Sequence, residues 1–425
     1  MREQMRGGGK PEVVAGLDVG TSKIACVIAR VEPPTDESGP DITILGICQH
    51  AAAGIRKGAV VDVVAAEEAI RLVVEAAERM ADVIVQRVWV NLSTASLFSH
   101  HAHVEIPLGD QEIDAGNLRD VAAHARASVD LTDRVLIHAV PLGYQVDGSA
   151  GISDPRGMVG ERLGVRMHLV SAAQGPVRNL MLCIRRCHLE VAGLVASPYA
   201  SGLACLVPDE MGLGVTLVEM GAGTTSIAVF YDSRLIFTDV LEVGGQHVTS
   251  DIARGLSTLM TSAERIKTLY GSALPTPSDD QETVDVPQID GDAEGGVQVM
   301  PRSFLTRIIQ PRIEETIELV RDRLAESGFE GVAGRRIVLT GGAAQLTGVR
   351  ETAARMLDKP VRIGRPLGVS GFPDTVGGPS FATCSGLLVY PLRAPQEAPS
   401  ARAVLRKGLS NRHFARLKNW FTAHF

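Results

Sequence analysis

Two stretches of this chain, one in each half, repeat a single pattern. Gly16–Arg30 reads GLDVGTSKIACVIAR and Leu217–Asp232 reads LVEMGAGTTSIAVFYD. Each is an apolar strand, an acid, a turn of Gly with Thr or Ser, and a second apolar strand. A tight Gly turn lets backbone N–H groups approach an anion closely. Hydroxyls add donors, and an acid at the strand end can organise a metal ion through water. One copy alone would be read as an ordinary turn. Two copies point to a duplicated α/β architecture whose hairpins face each other and clamp a nucleoside triphosphate.

A chain of 425 residues has room for two or three domains. Hydrophobic residues make up 45% and aromatics 4%, so Val, Ile, Leu and Ala must fill the cores. The start, MREQMRGGGK, lacks the apolar run of a signal peptide and reads as a flexible tail. No stretch is long and apolar enough to span a bilayer. The net charge of −7 is local: Asp279, Asp280, Glu282, Asp285, Asp290, Asp292 and Glu294 fall between Ser278 and Met300 with no base among them. The remainder is near neutral, which speaks against general nucleic-acid binding. The six cysteines include no CxxC pair. Cys183 and Cys187, one helical turn apart and followed by His188, read as a buried helix face before a metal site. His100, His101 and His103 lack a nearby acid or Cys ligand.

Periodicity places strands at Val13–Val19, Lys23–Val31 and Ile42–Gln49, a helix over Asp62–Met80, and a strand at Arg87–Leu92. From Ser93 to Leu169 short strands (Val135–Val140, Tyr144–Val146, Leu163–Leu169) alternate with one helix near Ala115–Ala127, reading as a separate small α/β insert. The second half repeats the first: a helix Ala173–Cys187, a strand Leu189–Ala196, a helix after Pro198, the second hairpin, and a helix Asp251–Tyr270 stopped by Gly271. The acidic stretch to about Pro301 reads as a disordered surface loop. A helix Ser303–Ser327, a strand Arg336–Thr340 opening onto GGAAQLTG, and a helix near Thr347–Leu357 follow. Beyond Pro391 the composition is that of a linker.

Asp18, Gly20, Thr21, Ser22 and Lys23 form the first candidate phosphate hairpin, with Lys23 able to neutralise a β-phosphate. Glu219, Gly221, Gly223, Thr224 and Thr225 form the second. Gly341, Gly342 and Ala343 make a strand–Gly-Gly–helix turn that can lie flat against an adenine or ribose. Glu264 and Lys267 are either an i,i+3 surface ion pair or hydrogen-bonding groups for the nucleoside.

In this order, the motifs resemble the actin-like ATPase superfamily, and within it the FtsA family of bacterial cell-division proteins. GIRKGAVVD at Gly54–Asp62, VTSDIARGLSTLMTSAERIKTLYG and IIQPRIEETIELVRDRL are similar to that family, and the resemblance runs from about Val13 to Leu388. It implies two RNase H-like halves around a nucleotide cleft, with a small α/β subdomain inserted in the first. The implied division is a tail over 1–12, subdomain IA over 13–92 and 370–390, IC over 93–169, IIA over 170–245 and 335–369, and IIB over 246–334 with a disordered acidic loop at 273–301. A linker over 391–410 and a terminal amphipathic helix over 411–425 complete it. The resemblance further implies ATP and Mg²⁺ as ligands. Asp18 and Glu219 would flank the ion through water. Thr21, Ser22, Lys23, Gly223, Thr224 and Thr225 would hold phosphates, and Glu264, Lys267, Gly341, Gly342 and Ala343 the nucleoside. FATCSGLL at Phe381–Leu388 resembles the segment that closes between the halves.

Two departures stand out. The second hairpin carries Glu219 where the superfamily usually has Asp. The connection SPYASGLACL begins with Ser197, where several active relatives place an acid or amide that orients the attacking water. Tight nucleotide binding with slow turnover is the expectation. At the C-terminus, Phe414, Leu417, Phe421 and Phe425 fall on one helical stripe bordered by Trp420, with Arg416 and Lys418 on a basic face, the pattern of an interfacial membrane anchor. The family implies the FtsZ C-terminal peptide as partner, with Arg312 and Glu315 as its contacts, together with filaments of the chain itself, anionic inner-membrane lipids and other division proteins. A pilus-assembly relative of the same fold and a small-molecule kinase are the alternatives. The kinase lacks a candidate catalytic Asp in the first half and has no use for the terminal helix.

Overall fold

The computed structural model describes residues 12–32, 41–289, 296–373 and 377–393. Among these, the chain begins with a meander of β1 (Glu12–Val19), β2 (Lys23–Glu32) and β3 (Asp41–Ala51). The small hairpin β4 (Ile55–Arg56) and β5 (Ala59–Val60), helix α1 (Val63–Ala81) and strand β6 (Arg87–Leu92) follow. Asp62 caps α1 by accepting from the N–H groups of Val64 and Ala65, and Ala66, Ala69, Ile70, Val73, Val74 and Ala77 form its buried stripe.

Next come β7 (Phe98–Glu112), α2 (Ala115–Ala127), β8 (Arg134–Val146), β9 (Ser149–Ile152) and β10 (Val159–Ala173). The chain continues through α3 (Gln174–Arg186), β11 (Glu190–Ala196), α4 (Ser197–Cys205) and α5 (Pro208–Leu213). A second meander is built from β12 (Val215–Met220), β13 (Thr225–Tyr231) and β14 (Arg234–Leu241). After it lie α6 (Gly245–Gly255), α7 (Met260–Tyr270), β15 (Thr283–Pro287), β16 (Val297–Pro301) and α8 (Arg302–Glu326). The last elements are β17 (Ile337–Thr340), α9 (Val349–Leu357), β18 (Val361–Ile363), β19 (Val369–Ser370) and α10 (Ala382–Arg393).

Two compact units result: one comprises residues up to Leu97 with Arg178–Pro391, and the other is built on Phe98–Val177. In the larger unit the sequence repeat is a repeat of topology. One sheet runs β11-β6-β1-β2-β3-β19 and the other β14-β13-β12-β17-β18. In each, an antiparallel meander is extended by a parallel strand beside its first member, β6 next to β1 and β17 next to β12. Val14–Val19 and the whole of β12 are buried at consecutive positions, because helices or neighbouring segments cover both faces of each sheet's middle. The scarce aromatics gather where α4 and α10 link the sheets. Tyr390 meets Trp89 of β6 edge-on with centroids 5.3 Å apart and Tyr199 at 5.8 Å, and Tyr199 lies 6.0 Å from Phe230 of β13. The helices touch through Gly386, where a Cβ would lie 1.8 Å from the Ala200 carbonyl oxygen.

The smaller unit is a four-stranded antiparallel sheet, β7-β10-β8-β9, with α2 on its apolar face. Leu163, Val165, Met167 and Leu169 of β10 pack with Val121 and Ala125 of α2 and Leu136 of β8. The strands expected at Val135–Val140 and Tyr144–Val146 are one strand, bent by irregular pairing near Arg166 and Val170 of its neighbour.

Two expectations are corrected. The helix expected over Asp251–Tyr270 is two helices, broken after Gly255, with Ser257 at φ 50 and the Thr258 hydroxyl donating to the Pro287 carbonyl. The acidic stretch expected as a disordered loop over 273–301 contains the hairpin β15–β16, pairing Thr283 with Pro301 and Pro287 with Val297. Val284 and Val286 on its inner face are buried. Asp279, itself buried, accepts from the Thr276 N–H and from the hydroxyls of Thr276 and Thr306. The acid content masks a period-two alternation in TVDVP that is sufficient for a strand.

Candidate nucleotide site

The two Gly turns close identically. Gly20 N–H donates to the Lys23 carbonyl at 3.0 Å, and Gly221 N–H donates to the Thr224 carbonyl at 2.9 Å. Their tips abut: a Cβ on Gly223 would stand 2.5 Å from Thr21 Oγ1. The Thr21 hydroxyl oxygen accepts from Gly58 N–H at 3.1 Å, which leaves its hydrogen to donate elsewhere. Ser22 is exposed, with its carbonyl accepting from Ala52 N–H. Lys23 Nζ lies 3.5 Å from the centroid of the Phe381 ring and 3.5 Å from Gln49 Oε1, and burial lowers its pKa.

Asp18 and Glu219 end the first strands of the two meanders and are both buried. Asn91 of β6 donates to Asp18 Oδ1 at 2.7 Å and to Ser197 Oγ at 3.0 Å, and its own oxygen accepts from Val19 N–H at 2.7 Å. Glu219 Oε1 accepts from the hydroxyls of Ser201 and Thr383. Its other oxygen, Oε2, is buried with no hydrogen-bond partner among the described residues. Burial pushes the Asp18 carboxyl up to about 6, against the pull of Lys23 and the Cys384 thiol. Burial first, then the Asp18 charge, pushes Glu219 up to about 7, although the Thr383 and Ser201 hydroxyls oppose it. Two buried acids, both held up by burial and one of them with an orphaned oxygen, fit a hydrated divalent cation.

The second turn and the nucleoside motifs meet at the loop before α6. Gly245 N–H donates to the Gly221 carbonyl and Gln246 N–H to that of Ala222. Thr224 is buried in the turn. Thr225, expected to hold phosphate, instead donates its hydroxyl to the Val243 carbonyl at 2.8 Å and positions this loop. Lys267 Nζ donates to Glu264 Oε2 at 2.7 Å, to Thr249 Oγ1 at 2.8 Å and to the Gly245 carbonyl at 3.2 Å, so the pair is anchored to the loop as well as to itself. A Cβ on Gly245 would lie 3.1 Å from Ala343 Cβ, which brings the Gly-Gly turn to the same place. Gly341, at φ 88, folds the chain over Met220, and Gly342 beside it faces open space save for Ser380.

Other candidates lie elsewhere. Arg312 is held by Asp251, Nε to Oδ2 at 2.5 Å, and by Glu315. Cys183 and Cys187 point at the carbonyls of Val63 and Glu67 on α1. His101 stacks on His168 with centroids 5.1 Å apart. Among the described residues no group of three or more His, Cys, Asp or Glu side chains is arranged to hold a metal. Phe414, Leu417, Arg416, Lys418, Trp420, Phe421 and Phe425 lie outside the described residues. Asn91, Ser201, Gly58 and Thr383 also belong to the site; Ser201, Gly58 and Thr383 lie in the segments SPYASGLACL, GIRKGAVVD and FATCSGLL, but nothing in those segments marks them individually. The signal for Asn91 is an amide inside the apolar run VWVNL.

Residues 216–386 match the family model for cell division protein FtsA, and residues 94–171 match that for the SHS2 domain inserted in FTSA. Cell division protein FtsA of Rhizobium meliloti (strain 1021) is 44% identical over 422 residues, covering 98% of this chain and 96% of that protein. The chain belongs to the FtsA family. FtsA of Pseudomonas aeruginosa (strain PAO1) is 32% identical, covering 97% and 98%, and FtsA of Escherichia coli (strain K12) is 33% identical, covering 89% and 90%. Solved structures carry the fold further than sequence does. A chain of the PilM-PilN type IV pilus biogenesis complex aligns with a TM-score of 0.62 at 18% identity, covering 88% of this chain and 97% of its own. MreB 5 of Spiroplasma citri bound to AMPPNP aligns at 0.53 and 11% identity, covering 91% and 98%. The fold is the actin-like ATPase fold, with the SHS2 insertion that marks the FtsA family.

Proposed function

We propose that this chain binds ATP with Mg²⁺, polymerises, tethers the FtsZ ring to the cytoplasmic face of the inner membrane at the division site, and recruits later division proteins. The observation that carries the nucleotide reading is the pair of identically closed Gly turns set tip to tip, with a buried acid behind each. The MreB 5 structures, bound to ADP and to AMPPNP, lend support from the same fold.

Bound Mg²⁺ supplies charge neutralisation to the phosphates. Asp18 and Glu219 hold its waters, the turn N–H groups and the hydroxyls of Thr21, Ser22 and Thr224 donate to phosphate oxygens, and Lys23 offsets phosphate charge. Gly20, Gly221 and Gly223 keep the turns free of side chains. Glu264, Lys267, Gly341, Gly342 and Ala343 bracket the nucleoside. Hydrolysis is slow, because the position for orienting the attacking water is Ser197 and the neighbouring amide of Asn91 is already committed to Asp18, Ser197 and Val19. Nucleotide therefore acts mainly as a conformational ligand. The subdomain bounds and the role of 411–425 as a membrane anchor are part of this proposal. Arg312 and Glu315, paired directly with each other while Arg312 also binds Asp251, form the polar surface for the FtsZ C-terminal peptide. A single short anchor binds weakly, and a filament presents many together.

Sedimentation with anionic liposomes and ATP tests the tether, comparing the intact chain with one truncated after Ser410. Co-sedimentation of the intact chain alone is expected. Both chains remaining in the supernatant would overturn the membrane assignment.

A further inference from the structure

The turn of the β4–β5 hairpin is occupied by a residue ill suited to it. Ile55 pairs with Val60 and Arg56 with Ala59, so the connection is two residues, Lys57 and Gly58. Both have positive φ, 50° and 71°. Such a turn favours Asn-Gly, Asp-Gly or Gly-Gly. Gly58 is required, since a Cβ there would lie 2.4 Å from the Ser93 carbonyl oxygen. Lys57 is in the left-handed region without the short polar side chain that makes it tolerable. A strained residue retained in a tight turn invites a functional explanation.

Its surroundings supply one. Lys57 Nζ is 2.7 Å from Glu242 Oε2, an ion pair that runs from the turn of the β4–β5 hairpin to the residue that follows β14 of the second meander. The next residue, Gly58, donates its N–H to Thr21 Oγ1 in the first phosphate turn. On the other side, Glu242 is followed by Val243, whose carbonyl accepts from Thr225, and by Gly245, whose N–H donates to Gly221 of the second turn. Each partner of the ion pair is thus one or a few residues from a backbone or hydroxyl group bonded to a phosphate turn. Both side chains are partly exposed, at 40% and 54%, so the pair contributes little to folding. Its position suits it to holding the two halves closed.

We infer that Lys57 and Glu242 form a latch across the nucleotide cleft, closed through the GIRKGAV turn when Thr21 is engaged, and that this latch slows nucleotide release. The inference rests on the nucleotide reading given above. It makes the GIRKGAV turn a third element of the site, acting on the ligand through Thr21 and through the closure of the halves.

The test measures dissociation of a fluorescent ATP analogue, chased with excess ATP in Mg²⁺, from the full chain and from Lys57→Asn, Glu242→Gln and the charge swap Lys57→Glu/Glu242→Lys. Each single variant should release nucleotide about three- to fivefold faster, the range an exposed ion pair can supply. The swap should recover most of the loss. Lys57→Asn should also leave the melting temperature of the ligand-free chain unchanged or raised, because Asn suits the turn, which separates a latch from a merely structural role. Equal release rates across the variants would overturn the latch, as would a swap releasing as fast as the single variants. A wild-type chain that binds no nucleotide would overturn the site reading and the latch with it.

Discussion

Glu219 stands where the two meanders meet, buried, with one oxygen bound by Ser201 and Thr383 and the other unbonded among the described residues. Without a cation, its ionised form and that of Asp18 are both disfavoured. The folded-state values, about 7 and about 6, are raised above the ordinary carboxylate values of 4.5 and 3.8. The folded protein therefore holds protons that the unfolded chain has released. The stability these groups contribute is complete below about pH 4 and is lost as pH rises through about 6 for Asp18 and about 7 for Glu219. For Glu219 the change is on the order of 3 kcal/mol. Urea unfolding of the ligand-free chain should show stability falling across this window, and Glu219→Gln should flatten much of the slope. A slope unchanged in that variant would place the titrating groups elsewhere. Asp18 and Glu219 were legible because each ends a repeated strand pattern. The partners that fix them were not. Asn91, Ser201 and Thr383 come from three segments distant in sequence, and only the pairing of β6 with β1 and the meeting of α4 with α10 gather them.

At the level of elements, the paired meanders were readable because their strands are buried on both faces and appear as continuous apolar runs bounded by Gly turns. The β15–β16 hairpin was not, because charge dominates its composition while its apolar residues occupy alternate positions. Val284 and Val286 point inward beneath exposed Asp285 and Pro287, and Asp279 ties the approach to the hairpin onto α8 through Thr306. Arg302 secures the same end by bonding Glu282 at 2.6 Å and the Tyr270 carbonyl at 2.9 Å. The hairpin is therefore held by two apolar side chains and a small polar knot. Val286→Ala should cost about 2 kcal/mol and act locally. Hydrogen exchange should report it as faster exchange in 283–287 and 297–301, with protection in β12 and β13 retained. Uniform loss of protection throughout the chain would show instead that the hairpin unfolds only with the whole unit.

Across the whole molecule, the duplication explains how one candidate site can arise from two sheets of the same topology, while the SHS2 unit has a different logic. Its sheet has its own core, with Val121, Leu163, Val165, Met167 and Leu169 almost fully enclosed against α2. The chain enters along β7 and leaves along β10, and these strands pair so that Phe98 lies opposite Ser171. The ends of the segment are thus held side by side by its own hydrogen bonds. An insertion with adjacent ends and a separate core does not depend on its host to close the chain. Residues 96–175, produced alone, should fold. The expected signs are a single cooperative urea transition, with an m-value of about 1 kcal/mol/M for a domain of this size, and slow exchange at the β7–β10 pairs. A chain that remains unfolded by both measures would mean that the segment's core needs the larger unit to hold it together, despite its closed hydrogen-bond ladder.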